Sequence, residues 1–228
     1  MKAPLQKETL AAKVRNATPI ILSLVLISLI IVLALRRLGR QGVWDAAFIN
    51  GDIVLASVYL FWMVIESKVS KKELDKGSQI SDFGTCELYA IGQAGVFLSA
   101  LWFDSLWSAP NALHLLGALI FGFGITYRLW AVRTLGKYYS HIVRQVSEHK
   151  IISAGPYAHI RHPAYAGMLL VNLGIVVFFF NYTTLALFLT VLTPAVVLRI
   201  FVEEKMLFQL EGYTEFARHR KRLIPSVW

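Results

Sequence analysis

The chain has 228 residues, of which 56% are hydrophobic and only 16% are charged, whereas soluble domains carry about 25% charged residues. This composition excludes an ordinary soluble domain and indicates a membrane protein. The formal net charge of +9 needs no nucleic-acid partner, because attraction to an anionic membrane surface explains it. The single cysteine, Cys86, excludes an internal disulfide framework and a cysteine-based zinc site.

Six apolar runs follow one another along the chain, and each approaches the roughly 20 residues that cross a bilayer as a helix. The runs cover residues 17–35, 46–65, 88–107, 111–132, 163–180 and 184–202. The first run is longer than the core of a signal peptide and is expected to be a membrane helix. The uncharged block 163–198 is too long for one span, so a tight helical hairpin is expected at Asn181, with one long tilted helix as the alternative.

The basic residues predict how these helices are oriented. With six spans, 20 of the 23 Lys and Arg residues lie on one side, which the positive-inside rule makes the cytoplasmic side. No glycine-rich dinucleotide motif follows a strand pattern, so a Rossmann domain is not expected. The sequence therefore predicts an all-α, polytopic transmembrane bundle. Residues 1–133 would be its scaffold and 134–228 its catalytic region, with the membrane hairpin 163–202, in one integrated domain.

The most polar segment runs from His141 to Gly167 and leads into the fifth apolar run. Pro163 is expected at the first position of a helix, with His162 near the N-cap and Tyr165 on the first turn. The N-terminus of such a helix suits an anionic group. A plain interfacial helix start, whose polar residues meet lipid head groups, is the alternative.

A second polar group lies where the last apolar run ends. The four-residue spacing places Arg199 and Glu203 on one face of a helix, and the hairpin brings them to the same end as His162 and Tyr165. A snorkelling arginine with a nearby carboxylate is the alternative. The basic run that follows, which includes Lys221 and Arg222, is expected to be a solvated tail.

Several short motifs occur together in the last hundred residues, and their order is more specific than any one of them. They are Ser140-His-Ile-Val143, Gly155-Pro-Tyr157, Arg161-His-Pro-Ala-Tyr165-Ala-Gly167, Arg199-x-x-x-Glu203-Glu204, and Gly212-Tyr213 followed by Phe216 and Ile224-Pro225. In this order they resemble the isoprenylcysteine carboxyl methyltransferase family over roughly residues 134–228. Before residue 134 the chain resembles the family only in having membrane helices.

The resemblance implies an integral membrane enzyme that uses S-adenosyl-L-methionine to methylate the C-terminal carboxylate of a prenylated cysteine, with S-adenosylhomocysteine as the other product. Its active site would be cytoplasmic, in the endoplasmic reticulum of a eukaryote or the inner, cytoplasmic membrane of a prokaryote. The implied partners are the lipid bilayer and a prenylated cysteine, without nucleic acid or metal. The implied cofactor contacts are Arg144 or Gln145, His149, Lys150, Ile151, Ile152, Tyr157, His162, Pro163, Ala164, Tyr165 and Glu203. The implied catalytic residues are Arg199, Glu203 and Tyr165.

The chemistry of these residue types fits such roles. Arg199 can bind a substrate carboxylate through a two-pronged hydrogen-bonded pair. Tyr157 or Tyr165 can face a sulfonium, because aromatic faces stabilise cations, and Glu203 can accept hydrogen bonds from the cofactor.

Two alternative functions stay open beside this assignment, and a metal site is not expected. The four histidines between 141 and 162 match no familiar metal-ligand spacing, so no metal is expected. A related membrane methyltransferase that acts on a phospholipid amine or a small thiol is one alternative function. A non-enzymatic, lipid-binding membrane scaffold is the other.

Overall fold

The computed structural model describes residues 24–36, 46–74, 84–107, 111–139 and 151–228. These residues form helices joined by turns and short 3₁₀ segments, and no strand occurs among them; an isolated parallel bridge joins Ile160 to Lys221. The all-α prediction is therefore confirmed for the part of the chain that is described. The helices are α1 (Leu24–Arg36), α2 (Ala46–Leu74), α3 (Thr85–Trp102), α4 (Ala112–Leu135), α5 (Pro163–Phe178), α6 (Tyr182–Leu207) and α7 (Tyr213–Arg218).

The helices follow the predicted apolar runs closely, with one extension. Two of them, α4 and α6, are long and apolar enough to cross a membrane by length and composition, and α1 and α5 are shorter apolar helices. Helix α2 continues from the predicted end at residue 65 to Leu74, so the helix extends beyond the apolar run. Large apolar side chains point outward, with Phe61 68% exposed and Leu115 64% exposed, and such a surface suits lipid better than water.

The expected break in the last apolar block lies at Asn181. Helix α5 ends at Phe178, and the Asn181 side chain accepts a hydrogen bond of 2.9 Å from the Thr184 backbone N–H at the start of α6. The Thr184 hydroxyl is also 3.0 Å from that of Ser99 on α3, which holds the turn against the bundle. A single long helix is therefore excluded, and the chain reverses direction here.

Helices α4 and α5 pack unusually close together through glycines spaced seven residues apart. A Cβ on Gly124 of α4 would lie 2.5 Å from the Val171 backbone nitrogen, and a Cβ on Gly174 of α5 would lie 2.5 Å from that of Phe121. Gly167 of α5 faces Arg128 in the same way, since a Cβ added to it would lie 2.7 Å from the Arg128 Cβ. Because a methyl group does not fit, these glycines fix the separation of the two helices.

Helix α6 contains a π-helical turn, Phe188–Leu192, immediately before Pro194. Proline has no backbone N–H and cannot continue the regular helical hydrogen-bond pattern. The Thr193 hydroxyl donates a hydrogen bond of 2.8 Å to the Phe188 carbonyl in this region. Gly92 of α3 packs against the turn, where a Cβ added to this glycine would lie 3.0 Å from the Leu192 Cα. The turn therefore forms a close contact between α3 and α6.

Two hydrophobic cores lie on either side of the N-terminus of α5. The larger core is formed by α1 to α6 and includes Trp62, Phe97, Val171 and Val196. The smaller core is formed by the last turns of α4, the first turn of α5, α7 and the segments before α5, and consists of Ala131, Val132, Tyr139, Tyr157, Ala164, Tyr213 and Phe216. The start of α5 contributes to both cores, since Ala164 belongs to the smaller one and Tyr165 packs against the larger one.

Candidate active site

The start of α5 forms the centre of the candidate site. Pro163 is in the first turn and His162 is the N-cap residue, as predicted. The buried His162 side chain does not cap the helix; it turns toward α6, where its Nε2 is 3.2 Å from Glu204 Oε1 and its Nδ1 is 4.0 Å from Glu203 Oε2. His162 therefore lies between two neighbouring carboxylates.

Glu204 is buried and bound by three cationic or potentially cationic side chains. Arg161 Nη1 lies 2.8 Å from Oε1, which His162 also approaches, and Arg222 Nε donates a hydrogen bond of 2.8 Å to Oε2. Both carboxylate oxygens are thus engaged. This arrangement, which we call the Glu204 cluster (Arg161, His162, Glu204 and Arg222), ties the segment before α5 to the end of α6.

The C-terminal basic segment completes the Glu204 cluster, so the prediction of a solvated tail was wrong for Arg222. The Arg222 guanidinium also lies over the Phe201 and Trp228 rings, 5.2 and 5.3 Å from their centroids. The segment's backbone contributes as well: Arg161 N–H donates to the Lys221 carbonyl at 2.8 Å. The segment is therefore held by a charge-assisted hydrogen bond to a buried carboxylate and by backbone hydrogen bonds.

Arg199 lies on α6, one turn before Glu203, and is buried. Its Nε donates a hydrogen bond of 2.9 Å to Tyr165 Oη on α5, and its Nη1 is 3.4 Å from Thr85 Oγ1 on α3. The guanidinium carbon is 5.9 Å from the centroid of the Tyr89 ring. A buried guanidinium that reaches two other helices is not the head of a snorkelling side chain, so this alternative is excluded.

Glu203 differs sharply from Glu204. Its Oε2 is buried and has no hydrogen-bond partner among the described residues. A carboxylate oxygen without a donor in such a place is costly. The nearby Tyr157 is buried, and its pKa is raised well above the ordinary value by burial and then by the negative charge of Glu203. Tyr157 therefore keeps its proton at neutral pH.

The described structure brings together part of the residue set expected from the sequence. Five of the expected residues lie at or near the first turn of α5: Tyr157, His162, Tyr165, Arg199 and Glu203. Pro163 and Ala164 are buried beside them, while Ile151 and Ile152 are partly buried and Ile151 packs against the smaller core. Four expected cofactor contacts lie outside the described residues: Arg144, Gln145, His149 and Lys150.

An ion pair next to this site was not expected from the sequence. Arg128 of α4 is buried, and its Nε and Nη2 bind the two carboxylate oxygens of Glu66 on α2. Its Nη1 also donates a hydrogen bond of 3.0 Å to the Ala164 carbonyl, and its Nη2 donates one of 3.1 Å to Tyr139 Oη. The sequence did offer one indication of this pair: Glu66 directly follows the second apolar run, and Arg128 lies near the end of the fourth. Arg128 thereby connects α2 to the first turn of α5.

The histidines give no metal centre in the described part of the chain. No group of three or more His, Cys, Asp or Glu side chains there could hold a metal ion. His141 and His149 lie outside the described residues, so the expected absence of a metal stays a prediction.

Comparison with known proteins gives a family model and several curated relatives that agree with one another. Residues 115–209 match the model of the isoprenylcysteine carboxyl methyltransferase family. Protein-S-isoprenylcysteine O-methyltransferase of Saccharomyces cerevisiae is 35% identical over 124 residues, which are 52% of this chain and 52% of that protein. Protein-S-isoprenylcysteine O-methyltransferase B of Arabidopsis thaliana is 32% identical over 108 residues, or 46% of this chain and 55% of that protein. The chain thus spans about half the length of these curated relatives.

Proposed function

Because residues 115–209 match the isoprenylcysteine carboxyl methyltransferase family, we propose that this chain is an S-adenosylmethionine-dependent O-methyltransferase. Its acceptor is the C-terminal carboxylate of a prenylated cysteine, and its product is the methyl ester. The family resemblance inferred from the sequence motifs is confirmed. The names of the relatives support the acceptor, and the side chains around α5 support the chemistry.

The observation that carries this proposal is a pair of opposite charges at one end of α6. Arg199 presents a buried guanidinium held by Tyr165, and Glu203, one turn further on, has a buried oxygen without a hydrogen-bond partner among the described residues. An anionic acceptor suits the first group and a ligand rich in hydrogen-bond donors suits the second. Two ligands of different charge are what methyl transfer to a carboxylate requires.

The residues fit S-adenosylmethionine as the methyl donor. Its amino and hydroxyl groups can donate hydrogen bonds to Glu203 Oε2, which accepts none from the described residues. The ring faces of Tyr157 and Tyr165 suit a cation. When bound, it would supply a methyl group on a positively charged sulfur. Glu203, Tyr157 and His162 would hold this ligand, together with the expected contacts 144–152 and the first turn of α5.

The chain's own residues have a simple task in this reaction. The bond from the methyl carbon to sulfur breaks and a bond to a carboxylate oxygen forms, without a proton transfer. The acceptor carboxylate is already ionised at neutral pH, so no side chain needs to act as a base. Arg199 would orient the carboxylate, Tyr165 would hold the guanidinium through its hydroxyl, and burial would exclude competing water.

The proposed setting is a multi-pass membrane protein with six spans and a cytoplasmic site. The apolar outward faces of α2 and α4, and the basic residues at the end of the bundle that holds Arg199, support this orientation. The membrane would be the endoplasmic reticulum in a eukaryote and the cytoplasmic membrane in a prokaryote. Residues 1–133 form the scaffold and 134–228 the catalytic region, and the close packing of α4 against α5 joins them into one domain.

A methyl-transfer assay tests the function directly. Purified protein in detergent would be given S-adenosylmethionine with a tritiated methyl group and N-acetyl-S-farnesylcysteine as acceptor. We expect base-labile tritium in the lipid product, as a methyl ester requires, and inhibition by S-adenosylhomocysteine.

Parallel reactions with a phosphatidylethanolamine and with a small apolar thiol separate the alternatives. Label in either compound but not in the farnesylcysteine would overturn the proposed acceptor and leave a membrane methyltransferase. Failure to bind S-adenosylhomocysteine in calorimetry, together with no label anywhere, would instead support a non-enzymatic scaffold.

A further inference from the structure

Tyr89 lies on α3, in the half of the chain for which the sequence predicts only a scaffold. Its hydroxyl oxygen is buried and has no hydrogen-bond partner among the described residues. A buried hydroxyl without a partner costs free energy, so its position needs a reason. The neighbouring buried Tyr59 shows the usual arrangement, since its hydroxyl accepts a hydrogen bond of 3.2 Å from Gln93.

The surroundings of Tyr89 are those of the candidate acceptor site. The Arg199 guanidinium carbon lies 5.9 Å from the centre of the Tyr89 ring, which is within the range of a cation–π contact. The same ring meets Tyr165 edge to face, with 6.4 Å between the ring centres. Tyr89 therefore contacts both residues that would position the acceptor carboxylate.

None of the described protein groups accepts a hydrogen bond from the Tyr89 hydroxyl. Arg199 carries only hydrogen-bond donors. The nearby carboxylate on the α2 side, Glu66, has both oxygens bound by Arg128. A hydroxyl without an acceptor, on a ring beside the Arg199 guanidinium, is well satisfied by an anionic ligand that also binds this guanidinium.

We propose that Tyr89 donates a hydrogen bond to the acceptor carboxylate beside Arg199 and is thus a substrate-binding residue supplied by the N-terminal half of the chain. This inference rests on the proposed function. It assigns the carboxylate two ligands on different helices, Arg199 from α6 and Tyr89 from α3. Tyr89 thereby favours an acceptor with a carboxylate over one that ends in an amine or a thiol.

Tyr89→Phe removes the hydroxyl and keeps the ring against Arg199 and Tyr165. We expect the KM for N-acetyl-S-farnesylcysteine to rise about tenfold, with the KM for S-adenosylmethionine unchanged. The midpoint of thermal unfolding without substrate should not fall, because the lost hydroxyl has no partner in the described protein.

Tyr59→Phe is the matched control, since it removes a buried tyrosine hydroxyl that does have a protein partner. We expect it to lower the unfolding midpoint and to leave the acceptor KM unchanged. If Tyr89→Phe behaves like this control, or if it leaves kcat/KM for the acceptor at the wild-type value, the inference is overturned. If the wild-type protein itself transfers no methyl group to the farnesylcysteine, it is the proposed function that fails, and the two failures are distinguished by that measurement.

Discussion

Glu203 and Glu204 are neighbours in the chain, yet their surroundings have opposite properties. Glu204 is buried with three basic partners and has both oxygens engaged, whereas Glu203 keeps a buried oxygen without a hydrogen-bond partner among the described residues. A satisfied buried network stabilises one arrangement of the chain, and an unsatisfied one is costly until a ligand arrives. We therefore interpret the Glu204 cluster as the support of the site and the region of Arg199 and Glu203 as the binding surface.

The largest expected effect breaks the supporting side of this comparison. Glu204→Ala leaves Arg161, His162 and Arg222 without their shared carboxylate, and we expect the free energy of unfolding to fall by about 3–5 kcal/mol. The measurement is chemical or thermal unfolding of the purified protein in detergent.

Glu215→Ala is the control for Glu204→Ala. Glu215 also pairs with an arginine and a histidine, Arg218 and His219, but all three side chains are exposed. The loss there should be below about 1 kcal/mol. Similar losses for the two variants would mean that burial of the Glu204 cluster contributes nothing.

The second prediction acts on the binding side. Arg199→Ala should lower kcat/KM for the carboxylate acceptor about a hundredfold, because the anion loses its buried cationic partner. Binding of S-adenosylhomocysteine, measured by calorimetry, should change little. Arg199→Lys keeps the charge without the two-pronged geometry and should be intermediate. Nearly full activity in Arg199→Ala would count against any acceptor that carries a carboxylate.

The third prediction concerns the close packing of α4 against α5, which positions the Glu204 cluster relative to the binding surface. Gly124→Ala places a methyl group 2.5 Å from the Val171 backbone nitrogen, and we expect a loss of about 1–3 kcal/mol in the free energy of unfolding.

Gly122 lies on the same helix with nothing within 4 Å of its Cβ position. Gly122→Ala should therefore be neutral or stabilising, by up to about 1 kcal/mol. Equal effects of the two alanines would show that the close approach of α4 and α5 is not needed for stability.

The smallest expected effect sharpens the contrast between the two glutamates. Glu203→Gln removes a charge whose Oε2 has no hydrogen-bond partner in the described protein, so the unfolding midpoint should stay the same or rise. The Kd for S-adenosylhomocysteine should increase roughly tenfold, as expected for a lost charge-assisted hydrogen bond. A lower midpoint with an unchanged Kd would assign Glu203 to the support instead of the site.

The local features of the site were predictable because they depend on backbone chemistry. Pro163 starts α5 and Asn181 is the N-cap of α6, as expected for residue types that favour these positions. Because the chain reverses at Asn181, the start of the fifth apolar run comes to lie beside the end of the sixth. The contact of Arg199 with Tyr165 follows from that reversal.

The remaining features depend on how distant segments pack, which one sequence does not specify. Adjacent residues on a helix point about 100° apart, so the choice of Glu204 over Glu203 as the cluster's carboxylate depends on where α5 and the C-terminal segment lie. The pairing of Glu66 with Arg128 depends on which helices are neighbours. Local spacing likewise gave no reason to place Arg222 against a carboxylate 18 residues earlier.

The pairing of Arg128 with Glu66 limits how the molecule could be divided or recombined. The region that matches the family begins at residue 115. The carboxylate that neutralises its buried Arg128, however, is Glu66 of α2. A shortened chain that began at α3, or a chimera with an unrelated α2, would bury a lone guanidinium next to the first turn of α5. Such pieces would need a compensating acidic residue, or the missing helix supplied as a separate chain, before the site could assemble.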